Sequence, residues 1–99
     1  MGAEQFTAKA IGETSKLAFA SAVKQAQYDF GHAGYTGSIA EKQTFVLIGS
    51  APDAKSAESM AEDLLDANDE RVTDKWGPAG CIKIENEPKT YLFFGWASS

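Results

Sequence analysis

One cysteine, Cys81, and one histidine, His32, are all that this 99-residue chain holds of the two side chains most used for metal ligation and nucleophilic chemistry. A lone cysteine excludes an internal disulfide framework and fits a reducing compartment. A Cys–His nucleophile needs the pair within hydrogen-bond reach, and Cys81 opens an apolar strand, where a thiol acts as a small core residue. Zinc asks for three or four ligands at suitable spacing, which one cysteine and one histidine 49 positions apart do not provide. Long apolar runs are also missing. None exceeds four residues, so no segment spans a bilayer. The start Met1-Gly2-Ala3-Glu4 lacks the basic and apolar regions of a secretory signal, and Phe6 stands where a myristoylation signal prefers Ser or Thr. Repeats, linkers and low-complexity tracts are lacking as well, and no catalytic or cofactor motif stands out. The expectation is a soluble, cytoplasmic, non-enzymatic protein, one α+β domain over residues 1–99, with no cofactor, no metal and no membrane partner.

What is present is enough apolar matter for a core and a very uneven charge. Apolar residues make up 43% and aromatics 11%, so the chain is globular rather than disordered. The net charge is −5, yet it comes from one place. Residues 53–74 hold eight acids and two bases, a local −6, while the remaining chain is +1. A concentrated negative field attracts basic partners and repels nucleic acid and anionic membranes.

Hydrophobic periodicity gives the elements. Residues 5–11 alternate, with Phe6, Ala8 and Ala10 on one face and Gly12 ending the strand. Thr14 or Ser15 caps a helix that runs to Phe30, with Phe19, Ala22, Val23, Ala26 and Phe30 as its core stripe and Gly31 as its stop. A short strand is expected around residues 36–40. Gln43 to Ile48 reads as a strand, and its unbroken Phe45-Val46-Leu47-Ile48 run predicts burial on both faces and a central place in the sheet. Asp53 or Ser56 caps a second helix running to about Asn68, with Ala57, Met60, Ala61, Leu64 and Leu65 as its apolar arc. Two strands close the chain, Cys81 to Glu85 and Lys89 to Ala97, joined through Asn86, Glu87 and Pro88. The order β-α-β-β-α-β-β predicts an α+β fold. Its first six elements match a ferredoxin-like layout, with one extra C-terminal strand and both helices on one face of an antiparallel sheet. The opposite face is then partly open, to be covered by a ligand, a partner or a second copy in a homodimer.

The second helix carries the leading candidate site. At 100° per residue, Glu58, Glu62, Asp66 and Asp69 fall within about 80° of one another, flanked by Asp63 and Glu70. A charge run is by default a solvated face. Against that default, like charges three and four positions apart repel by a few tenths of a kcal/mol per pair, and the later acids oppose the helix dipole. A helix selected for stability alone would interleave lysines. Carboxylates at helical spacing also lack the turn and backbone carbonyls of a calcium loop. Trp76, in the loop that follows, is a candidate anchor for a partner, since tryptophan is enriched at binding hot spots.

The alternative site is the glycine-rich segment Gly31 to Ser38. Its Gly34 and Gly37 let backbone amides approach a ligand, with His32, Tyr35 and Thr36 as contacts. It follows a helix and precedes a strand, the reverse of phosphate loops, and the helix end facing it is the negative one. Its bland reading is a helix stop, a turn and a bulge. A third surface is the row Leu17, Ser21, Lys24 and Tyr28 on the first helix, opposite its core stripe.

Three segments, Gly31 to Lys42, Asp74 to Gly80 and Phe93 to Ser98, resemble small uncharacterised bacteriophage and mobile-element proteins. The resemblance implies a phage-type accessory protein. Such proteins are commonly stand-alone binders that block a host machine, often at a basic nucleic-acid channel. No site residue comes with it.

The functional expectation is a non-enzymatic protein-binding module whose acidic helix docks on a basic partner surface, without direct nucleic-acid binding. A small-molecule or nucleotide-binding protein, dimeric and using the Gly31–Ser38 loop and open sheet face, is the second expectation.

Overall fold

A computed structural model describes residues 3–30, 38–73 and 77–98. The elements are β1 (Ala3–Ile11), α1 (Ser15–Phe30), a 3-10 turn (Ile39–Glu41), β2 (Phe45–Ala51), α2 (Ala54–Asp66), β3 (Ala79–Ile84) and β4 (Thr90–Ser98). The alternation in β1 becomes real burial: Phe6 and Ala10 face inward, and Gln5, Thr7 and Lys9 stand in solvent. Gly12 ends β1 where the backbone passes the first turn of α1. A Cβ there would lie 2.4 Å from the Ala18 nitrogen, so only glycine permits the approach. Thr14 caps α1, its Oγ1 accepting the Leu17 amide at 3.2 Å. Asp53 caps α2, its carboxylate accepting the Ser56 amide at 2.7 Å. Both helix starts are thus written in the sequence immediately before them.

The protein is α+β, with two helices and one four-stranded mixed sheet ordered β1-β4-β3-β2. β4 pairs antiparallel with both β1 and β3, while β2 and β3 are parallel. This ladder corrects the expected ferredoxin-like antiparallel sheet. Parallel neighbours need a long crossover, and α2 supplies it between β2 and β3. The expected strand near residues 36–40 is also revised. Residues 36 and 37 lie outside the described residues, and Ser38 caps the 3-10 turn, its Oγ accepting the Ala40 amide at 3.2 Å. The final strand, expected as an addition, is instead a central one.

The helices lie on opposite faces, not one. Alternate residues of β4 show this directly. Tyr91, Phe93 and Ala97 pack with Ala18, Phe19, Ala22 and Ala26 of α1. Leu92 and Phe94 pack with Ala57, Ala61 and Leu65 of α2. The reason is topological. The chain crosses from β1 to β2 at the far edge, then turns back inward to β3. Crossovers between parallel strands are right-handed, so reversing direction moves the second helix to the other face.

β2 is an edge strand, which corrects its expected central place. Its apolar run faces both layers. Phe45 joins the α1 cluster and Ile48 the α2 cluster. A register shift between Leu47 and Gly49 breaks the regular alternation. α1 lies over β1 and β4, leaving Leu47 58% exposed. A four-residue apolar run therefore signalled helices on both sides of the sheet, not strands on both sides of β2.

Two features fix the core. Phe19, Phe45 and Phe93 form a triangle with ring centroids 5.1–5.6 Å apart, two of the three contacts edge-to-face. Across the sheet, the edge of the Phe94 ring abuts Gly80, where a Cβ would stand 2.4 Å from it. Among the described residues, no helix is long and apolar enough to cross a membrane.

Candidate functional site

α2 presents its acidic face because its inner face is committed. Ala57, Ala61 and Leu65 are buried against β3 and β4, with Met60 and Leu64 half-buried beside them. That packing turns Glu58, Glu62, Asp63 and Asp66 into solvent, where all four are exposed. Lys55 is the one base of the helix, and it is exposed too. Among the described residues the ion pairs are Lys9–Glu87, Asp69–Arg71 and Glu13–Lys89. None involves these four carboxylates.

Two acids expected on this face leave it. The helix ends at Asp66 rather than near Asn68, with Ala67 as C-cap. Asn68 then takes a left-handed φ of 53°, a conformation asparagine tolerates better than most residues. The chain turns, so Asp69 and Glu70 no longer continue the helical row. Asp69 is also occupied locally. Arg71 donates from Nε to Oδ1 at 2.9 Å and from Nη2 to Oδ2 at 3.0 Å, and its backbone amide reaches Oδ1 at 3.0 Å. Those guanidinium and amide hydrogen bonds bring the Asp69 carboxyl down to about 2. Glu70 is exposed in the turn. Asp53, at the other end, serves the cap, and its carboxyl is lowered first by the Ser56 amide. The compact acidic patch is thus Glu58, Glu62, Asp63 and Asp66. Trp76 lies outside the described residues.

The alternative site is only partly described. His32, Gly34, Tyr35, Thr36 and Gly37 all lie outside the described residues. Cys81 is fully buried, and burial raises its thiol to about 12, so it stays protonated at neutral pH and belongs to the core. No group of three or more His, Cys, Asp or Glu among the described residues is placed to hold a metal ion. The row on α1 is where the sequence put it: Leu17 and Tyr28 are 54% and 87% exposed, with Ser21 and Lys24 exposed between them.

One feature escaped the sequence reading. A groove of about 810 Å³ opens between α1 and the segment leading into β2. Phe19, Val23 and Phe45 are among its apolar lining, with Lys16, Lys24 and Lys42 as the charged residues. Lys42 is 4% exposed, and its Nζ donates to the Gly77 carbonyl at 3.0 Å, so it holds two loops together. The available signal was the spacing Lys16, Ala20, Lys24, Gln27 beside the core stripe, which puts a second polar edge on α1. It was masked by the more conspicuous Leu17–Tyr28 row, which shares Lys24 and otherwise runs one position away.

No protein-family model matches this chain, and neither a curated protein nor a solved structure does.

Proposed function

We propose that this chain is a non-enzymatic binding module that docks on a basic surface of another protein through α2. The observation that supports it is the patch Glu58, Glu62, Asp63 and Asp66: four exposed carboxylates with no cationic partner among the described residues. Their mutual repulsion is relieved when a cationic surface arrives. If that surface ordinarily holds nucleic acid, the patch competes as a carboxylate mimic of the phosphate backbone. The resemblance to phage and mobile-element proteins fits an inhibitor of a host machine, met in the cytoplasm.

The experiment is capture from host lysate by the wild-type chain and by a variant with Glu58, Glu62, Asp63 and Asp66 changed to Lys. The reading expects a basic protein retained by the wild type, lost by the variant, and released as salt rises, since screening acts over about 8–10 Å at physiological ionic strength. Equal capture by both chains rejects it.

A further inference from the structure

We propose that the groove between α1 and β2 is a binding site for an amphipathic carboxylate, a molecule with a hydrocarbon or aromatic body and one acidic head. The proposal goes beyond the docking reading and shares no residue with it. The site exists because α1 covers β1 and β4 but not β2, so the inner side of the β2 edge is left without a helix. Phe19, Val23 and Phe45 supply an apolar floor. The floor is firm, since Phe19 and Phe45 are held in the aromatic triangle with Phe93. A volume of about 810 Å³ is of the size that holds small ligands, roughly 300–1,000 Å³.

The rim decides the charge of the occupant. Lys16 and Lys24 stand on the same edge of α1, about 12 Å apart along its axis at 1.5 Å per residue. Both are exposed, and neither forms an ion pair among the described residues. No carboxylate belongs to the described lining. In a chain of net charge −5, a groove whose charged lining residues are all lysines, beside the neutral Gln27, Gln43 and Thr44, runs against the overall bias. Charge complementarity therefore calls for an anion, and the phenylalanine floor calls for an apolar body behind it. A nucleotide fits less well, because its hydroxyl-bearing sugar would lie against the phenylalanine floor, where Phe19, Val23 and Phe45 offer it no hydrogen bond.

Calorimetric titration of the full chain with decanoate, kept below its micelle concentration, tests the site. The expected result is saturable one-to-one binding, weaker by about tenfold or more for decanol and for the Lys16→Glu/Lys24→Glu double variant, the scale of one charge-assisted contact. Ala20 is exposed on the wall of the groove, so Ala20→Trp should fill it and remove binding with both lysines in place. Absence of saturable decanoate binding, equal binding of decanol, tighter binding of AMP than of decanoate, or undiminished binding by Ala20→Trp overturns the proposal.

Discussion

Arg71 grips Asp69 through both carboxylate oxygens, Nε to Oδ1 at 2.9 Å and Nη2 to Oδ2 at 3.0 Å, while its own amide adds a third hydrogen bond. Two residues of one turn thereby satisfy each other just past the end of α2, and the acid is withdrawn from the surface patch beside it. Asp69→Asn should leave partner capture close to wild type, while Glu62→Gln weakens it. Equal losses from the two would put Asp69 back into the docking face.

The same pair makes a pH prediction. The folded carboxyl of Asp69 sits at about 2, below the roughly 3.9 of an unfolded aspartate. A depressed folded value means stabilisation that is present above pH ~4 and is lost as pH falls from there toward ~2. Arg71→Gln removes the guanidinium that depresses it. The difference in urea midpoint between wild type and Arg71→Gln should therefore shrink as pH is lowered from 5 to 2. The pair is half-exposed, so the gap is small at its largest. A gap that stays constant over that range would mean the pair contributes through packing and not through charge.

Gly80 and Phe94 give a steric prediction. A Cβ on Gly80 would stand 2.4 Å from the Phe94 ring and 2.9 Å from Val72 Cγ1. All three residues are buried, so neither neighbour has free space to move into. Gly80→Ala should cost about 1–3 kcal/mol, the usual range for overpacking, read from the denaturation midpoint at unchanged slope. Combining it with Phe94→Leu should recover part of the loss, because the intruding methyl and the ring edge compete for the same volume.

Much of the fold was legible in local chemistry, and the largest errors, strand order and helix placement, were non-local. The caps at Thr14 and Asp53, the stop at Gly12 and the apolar arc Ala57-Ala61-Leu65 each depend on residues within a few positions, and each is in place. Strand order depends on how crossovers pass over the sheet, which no local pattern records. The Phe45–Ile48 run was misread for that reason. Apolar residues on both faces of a strand report what lies above and below it: here Ile48 meets the α2 cluster and Phe45 reaches the margin of the α1 cluster, while one lateral edge of β2 stays unpaired among the described residues. The acidic patch was visible because helical spacing fixes which side chains share a face. Its extent was not, because the turn at Asn68 ends the helix early. The groove depends on α1 stopping short of β2, a tertiary fact with only a faint trace in the Lys16–Lys24 spacing.

The edge position of β2 is testable through two side chains on the same sheet face. Phe93 is fully buried as one corner of the aromatic triangle, whereas Leu47 is 58% exposed. Phe93→Ala should lose about 3–5 kcal/mol, transfer and cavity together. Leu47→Ala should stay within about 0.5 kcal/mol of wild type, as surface changes usually do. Were Leu47→Ala to approach the cost of Phe93→Ala, β2 would be covered in solution by another copy or partner.

The acidic face of α2 sets stability against binding, and Glu62 is where the two separate. It lies four positions after Glu58 and four before Asp66, so it meets a like charge on both sides. Glu62→Lys converts both repulsions into attractions. Each i,i+4 pair is worth about 0.2–0.5 kcal/mol, and the residue is exposed, so no packing is lost. The variant should unfold at a higher denaturant concentration than wild type, and the gain should fade in 1 M salt, where the screening length falls to about 3 Å. Under the docking reading the same variant should capture less partner, because a cation then stands in the middle of the patch. More stability together with less binding is what a face kept for a partner produces. More stability with unchanged binding would make the acids a solvated surface and nothing more.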